Sequence, residues 1–236
     1  YTDLITAYST SSLVSKAFLR KGLIEYNQND TQSALKSFNS VATGYPSSPE
    51  AFQAISSSRS IYIDLGQVDN YALWVKSLDY ASVSDSELET ATYEAAEKQY
   101  LDNNVKKSVE LFNGYIVGFP NGKQLIKAHF YLAELYNISA LTVNALPHYQ
   151  YVCEQPVSEF TEKALFKRSK ILLYSEDFKV VLNVLLRLES ESKNPQNRLY
   201  AQSNLMKLYF QFKDYDAAIR YAETILQNSK TDVYIK

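Results

Sequence analysis

The chain is short of most of the features that point to chemistry. It has one cysteine, Cys153, so no internal disulfide can form. On the apolar face of a helix such a residue reads as a small buried hydrophobe rather than a reactive thiol. The two histidines, His129 and His148, stand in no metal spacing such as HExxH, and with one cysteine they cannot build a structural zinc site. His129 is expected on the inner helix surface and His148 on a solvated or packed one. There is no glycine-rich phosphate loop, and the Ser9–Ser12 and Ser56–Ser58 tracts lack a GxSxG context. No catalytic residue, cofactor or metal is therefore expected. With 6 Gly and 6 Pro there is little room for tight-turned sheets or flexible linkers. No apolar run approaches the roughly 20 residues that span a bilayer. A net charge of −2 gives no electrostatic footprint for nucleic acid.

What the chain does have is a period. Apolar residues make up 46% and charged residues 21%, as in an ordinary folded domain. Six segments repeat one helix–turn–helix pattern, beginning at Ser15, Phe52, Glu89, Ile126, Glu162 and Leu199, with steps of 37, 37, 37, 36 and 37 residues. Position 8 holds Gly22, Arg59, Ala96, Ala133, Ser169 and Met206. Position 20 holds Ala34, Tyr71, Ser108, Ala145, Val181 and Ala218, and position 24 holds Phe38, Val75, Phe112, Tyr149, Leu185 and Ala222. Position 27 holds Val41, Leu78, Tyr115, Val152, Leu188 and Ile225. Positions 20, 24 and 27 fall on one face of a helix.

This pattern resembles the tetratricopeptide repeat (TPR), with its small residue at 8, aromatics at 11 and 24, Ala at 20 and Pro near 32. Gly22, Ala34, Phe38 and Pro46 fit it, as do Ala133, Tyr136, Ala145 and Tyr149, and Tyr209, Tyr215 and Ala218. The second repeat departs, with Arg59 and Tyr71 at small-residue positions. The turns Tyr-Pro-Ser-Ser-Pro (45–49) and Phe-Pro-Asn-Gly (119–122) resemble those of TPR proteins of Gram-negative cell envelopes, such as outer-membrane assembly lipoproteins and the Tol–Pal coordinator. The resemblance implies an all-α fold: one right-handed superhelical solenoid of about six hairpins over 1–236, with repeats near 15–48, 52–84, 89–122, 126–158, 162–194 and 199–230.

Helix signals fill in that frame. The first helix is expected over residues 12–27, with Thr31 capping its partner. Ser48 and Pro49 start the next helix, which ends at a left-handed Gly66. Ser84 or Asp85 opens the third pair, turning at Asp102-Asn103-Asn104. Pro147 falls in the first turn of its helix or just beyond. Further turns are expected at Glu176-Asp177 and Lys213-Asp214, and the last helix is expected to end near Asn228. Tyr1 in place of Met, and TDVYIK (231–236) reading as a lead-in to another repeat, give the expectation of a slice of a longer array.

In the family the functional surface is the concave groove lined by first helices. Carried over by position, it comprises Tyr93, Glu94, Glu97, Phe130, Tyr131, Glu134 and Asn137, then Lys163, Phe166, Lys167, Lys170, Tyr174 and Lys207. Lys16, Leu19, Arg20, Leu23 and Tyr26 form its N-terminal end. Some of the 20 tyrosines must be spacers between helices, and Phe130 or Phe166 can be among them. Position 9 is never Asn, so the family's peptide-carboxylate clamp is not expected. The resemblance implies a non-catalytic scaffold for a peptide or protein partner, periplasmic or outer-membrane-associated. A cytoplasmic adaptor or regulator, and a helical appendage of a larger enzyme or secretion-machine subunit, stand as alternatives.

Overall fold

A computed structural model describes residues 1–8, 11, 13–174 and 177–234, without the side chains of Leu4 and residues 229–234. Among the described residues the chain is all helix and turn, in two compact units, Tyr1–Lys123 and Gln124–Lys236. The expected helix start at Ser12, the Ser9–Ser12 tract, Glu176 and the last two residues lie outside the described residues, apart from Ser11.

The first unit holds α1 (Thr2–Ala7), α2 (Val14–Asn27), α3 (Thr31–Gly44), α4 (Pro49–Asp64), α5 (Val68–Lys76), α6 (Asp85–Leu101) and α7 (Val105–Gly118). Helices α2 to α7 form three antiparallel hairpins, with α1 lying against α2. The second unit holds α8 (Leu125–Ile138), α9 (Thr142–Glu154), α10 (Thr161–Leu172), α11 (Phe178–Glu191), α12 (Pro195–Gln211) and α13 (Tyr215–Tyr234), again as three hairpins.

Local chemistry sets the boundaries. Ser84 and Glu87 make a reciprocal capping box at α6. The Ser48 side chain accepts from the Ala51 amide at 3.1 Å, with Pro49 at the first helical position of α4. Asp30, rather than Thr31, caps α3: its carboxylate accepts from the Ser33 amide at 3.1 Å and Thr31 is the first helical residue. Asp177 and Asn194 cap α11 and α12 in the same way. Pro147 is the sixth residue of α9, past the donors a helix start leaves free, so one interior bond is absent there. Helix α13 runs past Asn228 to Tyr234, so residues 231–234 continue it. No Gly or Pro follows Pro195 to stop it.

The turn inside each hairpin uses one backbone slot. Position 15 is Asn29, Gly66, Asn103, Ala140 and Lys213 in the five repeats where it is described, and all five have φ between 58° and 63°. Only one is a glycine.

The repeat register is borne out in the core. Ala34, Phe38, Val41, Phe112, Tyr115, Ala145, Tyr149, Val152, Leu185 and Leu188 are all fully buried. A methyl group on Gly22 would lie 2.6 Å from the Phe38 ring, which explains the absence of a side chain there. Position 3 carries a further regularity, alanine in all six repeats: Ala17, Ala54, Ala91, Ala128, Ala164 and Ala201. All six are buried. Each brings the backbone of a first helix close to its neighbours at the cost of very little side-chain entropy.

Candidate functional site: the first-helix face of the second unit

The family-derived groove residues divide into those that reach solvent and those that fill the core. Tyr93 and Phe130 belong to the core, a correction to the groove reading. Tyr93 is 5% exposed and packs on Phe112 and Tyr115. Phe130 is 6% exposed, with its ring centroid 4.8 Å from that of Phe160. Leu19 is buried as well. At position 5 both rings act as spacers between packed helices, against Phe112 on α7 and Tyr149 on α9.

In the first unit, Glu94 pairs with Arg59 at 2.7 Å, and Glu97 accepts from the Tyr93 hydroxyl at 3.0 Å. Tyr26 donates to Asp64 at 2.7 Å; that bond, with burial, pushes its pKa up to about 12. Lys16 and Arg20 are exposed and Leu23 is half-buried. The Arg59–Glu94 and Tyr26–Asp64 bonds each join two successive first helices.

The second unit has a more open surface. Helix α8 contributes Tyr131, Glu134 and Asn137; α10 contributes Lys163, Phe166, Lys167 and Lys170, with Tyr174 just beyond it. Lys163, Lys170 and Lys207 are exposed, and Tyr174 is 94% exposed. Lys167 is half-buried and bridges to Glu134 on α8 at 3.2 Å. Glu134 also accepts from the buried Tyr149 hydroxyl, so one carboxylate ties α8, α9 and α10 together. Phe166 is half-buried, its ring meeting Tyr200 edge-on at 4.9 Å, with the Lys170 ammonium 5.4 Å from its centre. Between these helices lies a cleft of about 320 Å³ lined by Asn137, Thr142, Lys167, Lys170, Ile171 and Tyr174. It offers ammonium groups, amide and hydroxyl partners and one free aromatic ring, a set suited to carboxylate-bearing side chains on an extended or helical segment.

Two arrangements were not evident from the sequence, a histidine pair and a carboxylate grip at Glu162, whereas Cys153 lies buried as expected. His129 and His148, distant in the chain, meet across the α8–α9 hairpin with their Nδ1 atoms 2.9 Å apart. His129 stacks on Tyr151 at 3.8 Å and His148 on Tyr136 at 5.7 Å. Burial lowers both pKa values, that of His129 to about 4 with His148 adding to the effect. Cys153 is buried, and desolvation pushes its thiol up to about 11, far from the reactive range. Glu162 opens α10 and grips the chain about thirty residues later. It accepts from Ser192 Oγ at 2.6 Å, the Lys193 amide at 3.0 Å and Asn197 Nδ2 at 2.8 Å. Burial works against its charge, yet these donors hold its carboxyl down to about 2. Glu89 does the same in the first unit, accepting from Tyr115 and the Lys123 amide. Both occupy position 1 of their repeats, so a recurrent Glu there was the available signal.

Among the described residues no group of three or more His, Cys, Asp or Glu could hold a metal ion, and no helix is long and apolar enough to cross a membrane.

No protein-family model matches the sequence, and no curated protein sequence does. Among solved structures, the nearly identical TPR-like repeats of a Podosopora anserina kinesin light chain are similar at 13% identity and a TM-score of 0.44, over 77% of this chain and 96% of that one. Pseudomonas aeruginosa pilF is similar at 11% identity and a TM-score of 0.45, over 90% of each chain. A tetratricopeptide repeat protein of Parabacteroides merdae is similar at 14% identity and a TM-score of 0.37, over 90% of this chain and 79% of that one. The repeat architecture itself rests on the six hairpins and their shared buried register.

Proposed function

We propose that the chain is a non-catalytic scaffold that holds a peptide or protein partner on the first-helix face of its second unit, in a bacterial cell envelope. The observation that carries this reading is the α8–α10 cleft, where Tyr174 is 94% exposed beside Lys170 and Lys167. An aromatic ring left in water next to ammonium groups supplies apolar area for affinity and charge for register. Lys163 and Lys207 extend the basic character along α10 and α12, which favours an acidic segment. Glu134, Tyr131 and Phe166 serve as the floor, held by the bonds described above. The envelope setting is supported by the proline turns at Pro46 and Pro120, which resemble those of envelope TPR proteins.

The test is cross-linking capture from separated envelope and soluble fractions, with wild type beside a Lys170→Ala/Tyr174→Ala variant. Both side chains are exposed, so the fold should survive. An envelope partner lost in the variant is the expected result. The same partner retained would place binding on another surface, and partners from the soluble fraction alone would favour a cytoplasmic adaptor.

A further inference from the structure

The chain holds two histidines, and the fold brings them together. His129 lies on α8 and His148 on α9, with their Nδ1 atoms 2.9 Å apart and their ring centroids 5.0 Å apart. At that separation one Nδ1 must be a bare acceptor while the other donates its proton. Neighbouring rings hold both imidazoles in this pose. Tyr151 stacks on His129 at 3.8 Å and 13°, and Tyr136 lies beside His148 at 5.7 Å and 23°. Both histidines are half-buried, so each keeps part of its surface in water.

A metal ion held by two imidazoles fixes the distance between their nitrogens. With metal–nitrogen bonds of about 2.0–2.1 Å, two ligands at a right angle place their nitrogens about 2.9 Å apart. Two ligands at a tetrahedral angle place them about 3.3–3.4 Å apart. The separation in this hairpin is the right-angled one. The centroid distance shows the two nitrogens facing each other as in a shared N–H···N bond. A modest swing of each ring turns both lone pairs onto one point beside that line. Among the described residues no third His, Cys, Asp or Glu joins the pair, so water is left to fill the other positions around an ion.

We infer that His129 and His148 form a two-ligand seat for a divalent cation that takes its ligands at right angles in a plane, copper(II) foremost. Copper(II) stands at the top of the divalent series for such ligands, and a tetragonal plane of nitrogen and oxygen is its preferred geometry. Zinc(II), which favours a tetrahedron, has to spread the two rings by about 0.4 Å against the tyrosines stacked on them. Two waters complete the copper plane. The proton balance is simple. The donating ring of the metal-free pair moves its proton from Nδ1 to Nε2 through solvent, and both imidazoles then bind as neutral ligands through Nδ1. The ion joins the two helices of one hairpin and takes no part in the binding face proposed between α8 and α10.

The probe is copper(II) itself, added to the whole protein at neutral pH in a buffer that does not ligate it. The chain has no other histidine, so an imidazole signature in the electron paramagnetic resonance of the bound copper comes from this pair alone. The expected result is one copper per chain, a tetragonal spectrum and pulsed-resonance modulation from two coordinated imidazoles. His129→Phe and His148→Phe should each reduce this to one imidazole and weaken binding about tenfold or more. Zinc(II) should displace the copper poorly, and Lys170→Ala/Tyr174→Ala should leave binding unchanged. Circular dichroism checks that the histidine variants keep their helices, and the wild-type spectrum is decisive even where a variant does not fold. One coordinated imidazole or none overturns the proposal. So does a copper-induced dimer in light scattering, with one imidazole from each copy. Equal binding by His129→Phe/His148→Phe overturns it as well, since that marks an adventitious ion only, held by carboxylates or the amino terminus.

Discussion

The α8–α9 and α4–α5 hairpins occupy the same register and close by different means. In α8–α9 both crossing positions are alanines, Ala133 and Ala145, and Tyr149 and Val152 below them are fully buried. In α4–α5 the crossing residues are Arg59 and Tyr71, and the two helices touch along much less of their length. Helix α5 has nine residues against thirteen in α9. Tyr71 is nonetheless buried, wedged with Tyr62 and Trp74 at ring separations of 6.2 and 6.5 Å. Arg59 leaves the crossing altogether and reaches Glu94 on α6. The repeat thus preserves a register, and residue size can vary when a ring cluster replaces close backbone contact.

The sharpest way to break this comparison is to install the small residue where the wedge stands. Tyr71→Ala should cost roughly 3–5 kcal/mol, because it empties a filled site instead of creating a close crossing. A raised denaturation midpoint would show that size alone governs closure. The reverse change, Ala145→Leu, should overpack the α8–α9 crossing and cost roughly 1–3 kcal/mol. An unchanged melting temperature would count against the register.

The turns of the two hairpins provide a smaller pair of opposite sign. Gly66 and Ala140 share φ near 60°, the left-handed region. Gly66→Ala should lose about 1–2 kcal/mol, the cost of a Cβ in that conformation. Ala140→Gly should gain a few tenths, since relief of strain slightly outweighs the greater freedom of the unfolded chain. Equal signs in chemical denaturation would mean the slot is not shared.

The mildest effect is a slope with pH. Both histidines lie in the α8–α9 hairpin and have pKa values lowered from 6.5, that of His129 to about 4. Below pH 6.5 the unfolded chain therefore takes up protons that the folded hairpin refuses, so stability is complete above that value and falls towards pH 4. Between pH 6.5 and 5.5 the exchange protection factors, corrected for the slower intrinsic exchange at lower pH, should fall in α8 and α9 while those in α4 and α5 change less. A His129→Phe/His148→Phe variant should flatten the difference.

Much of this was legible in the residue pattern. The spacing of positions 8, 20, 24 and 27 identified the buried faces because helical periodicity is a direct record of burial. Asn29, Gly66 and Asn103 marked turns by residue type and Lys213 through the Asp214 that follows it, whereas Ala140 gave no sign, since alanine favours helix. The groove was only partly readable. Positions inherited from a family assume its usual side-chain placement, and here Tyr93 turns onto Phe112 and Tyr115 and Phe130 onto Tyr149 and Phe160. The histidine contact joins two helices through side-chain placement, which no spacing rule along the chain encodes.

The left-handed slot at position 15 has a consequence for how this chain can vary. Asn, Gly, Ala and Lys all occupy it, so an alignment of the repeats shows no motif there. The constraint is one of prohibition: a branched Cβ at Val, Ile or Thr would meet the backbone in a way the present occupants do not. A saturation scan at Ala140 or Lys213 should therefore tolerate broad chemical change and reject one small class of shapes. The turn within each hairpin would then be visible in which residues never appear, rather than in any that recur.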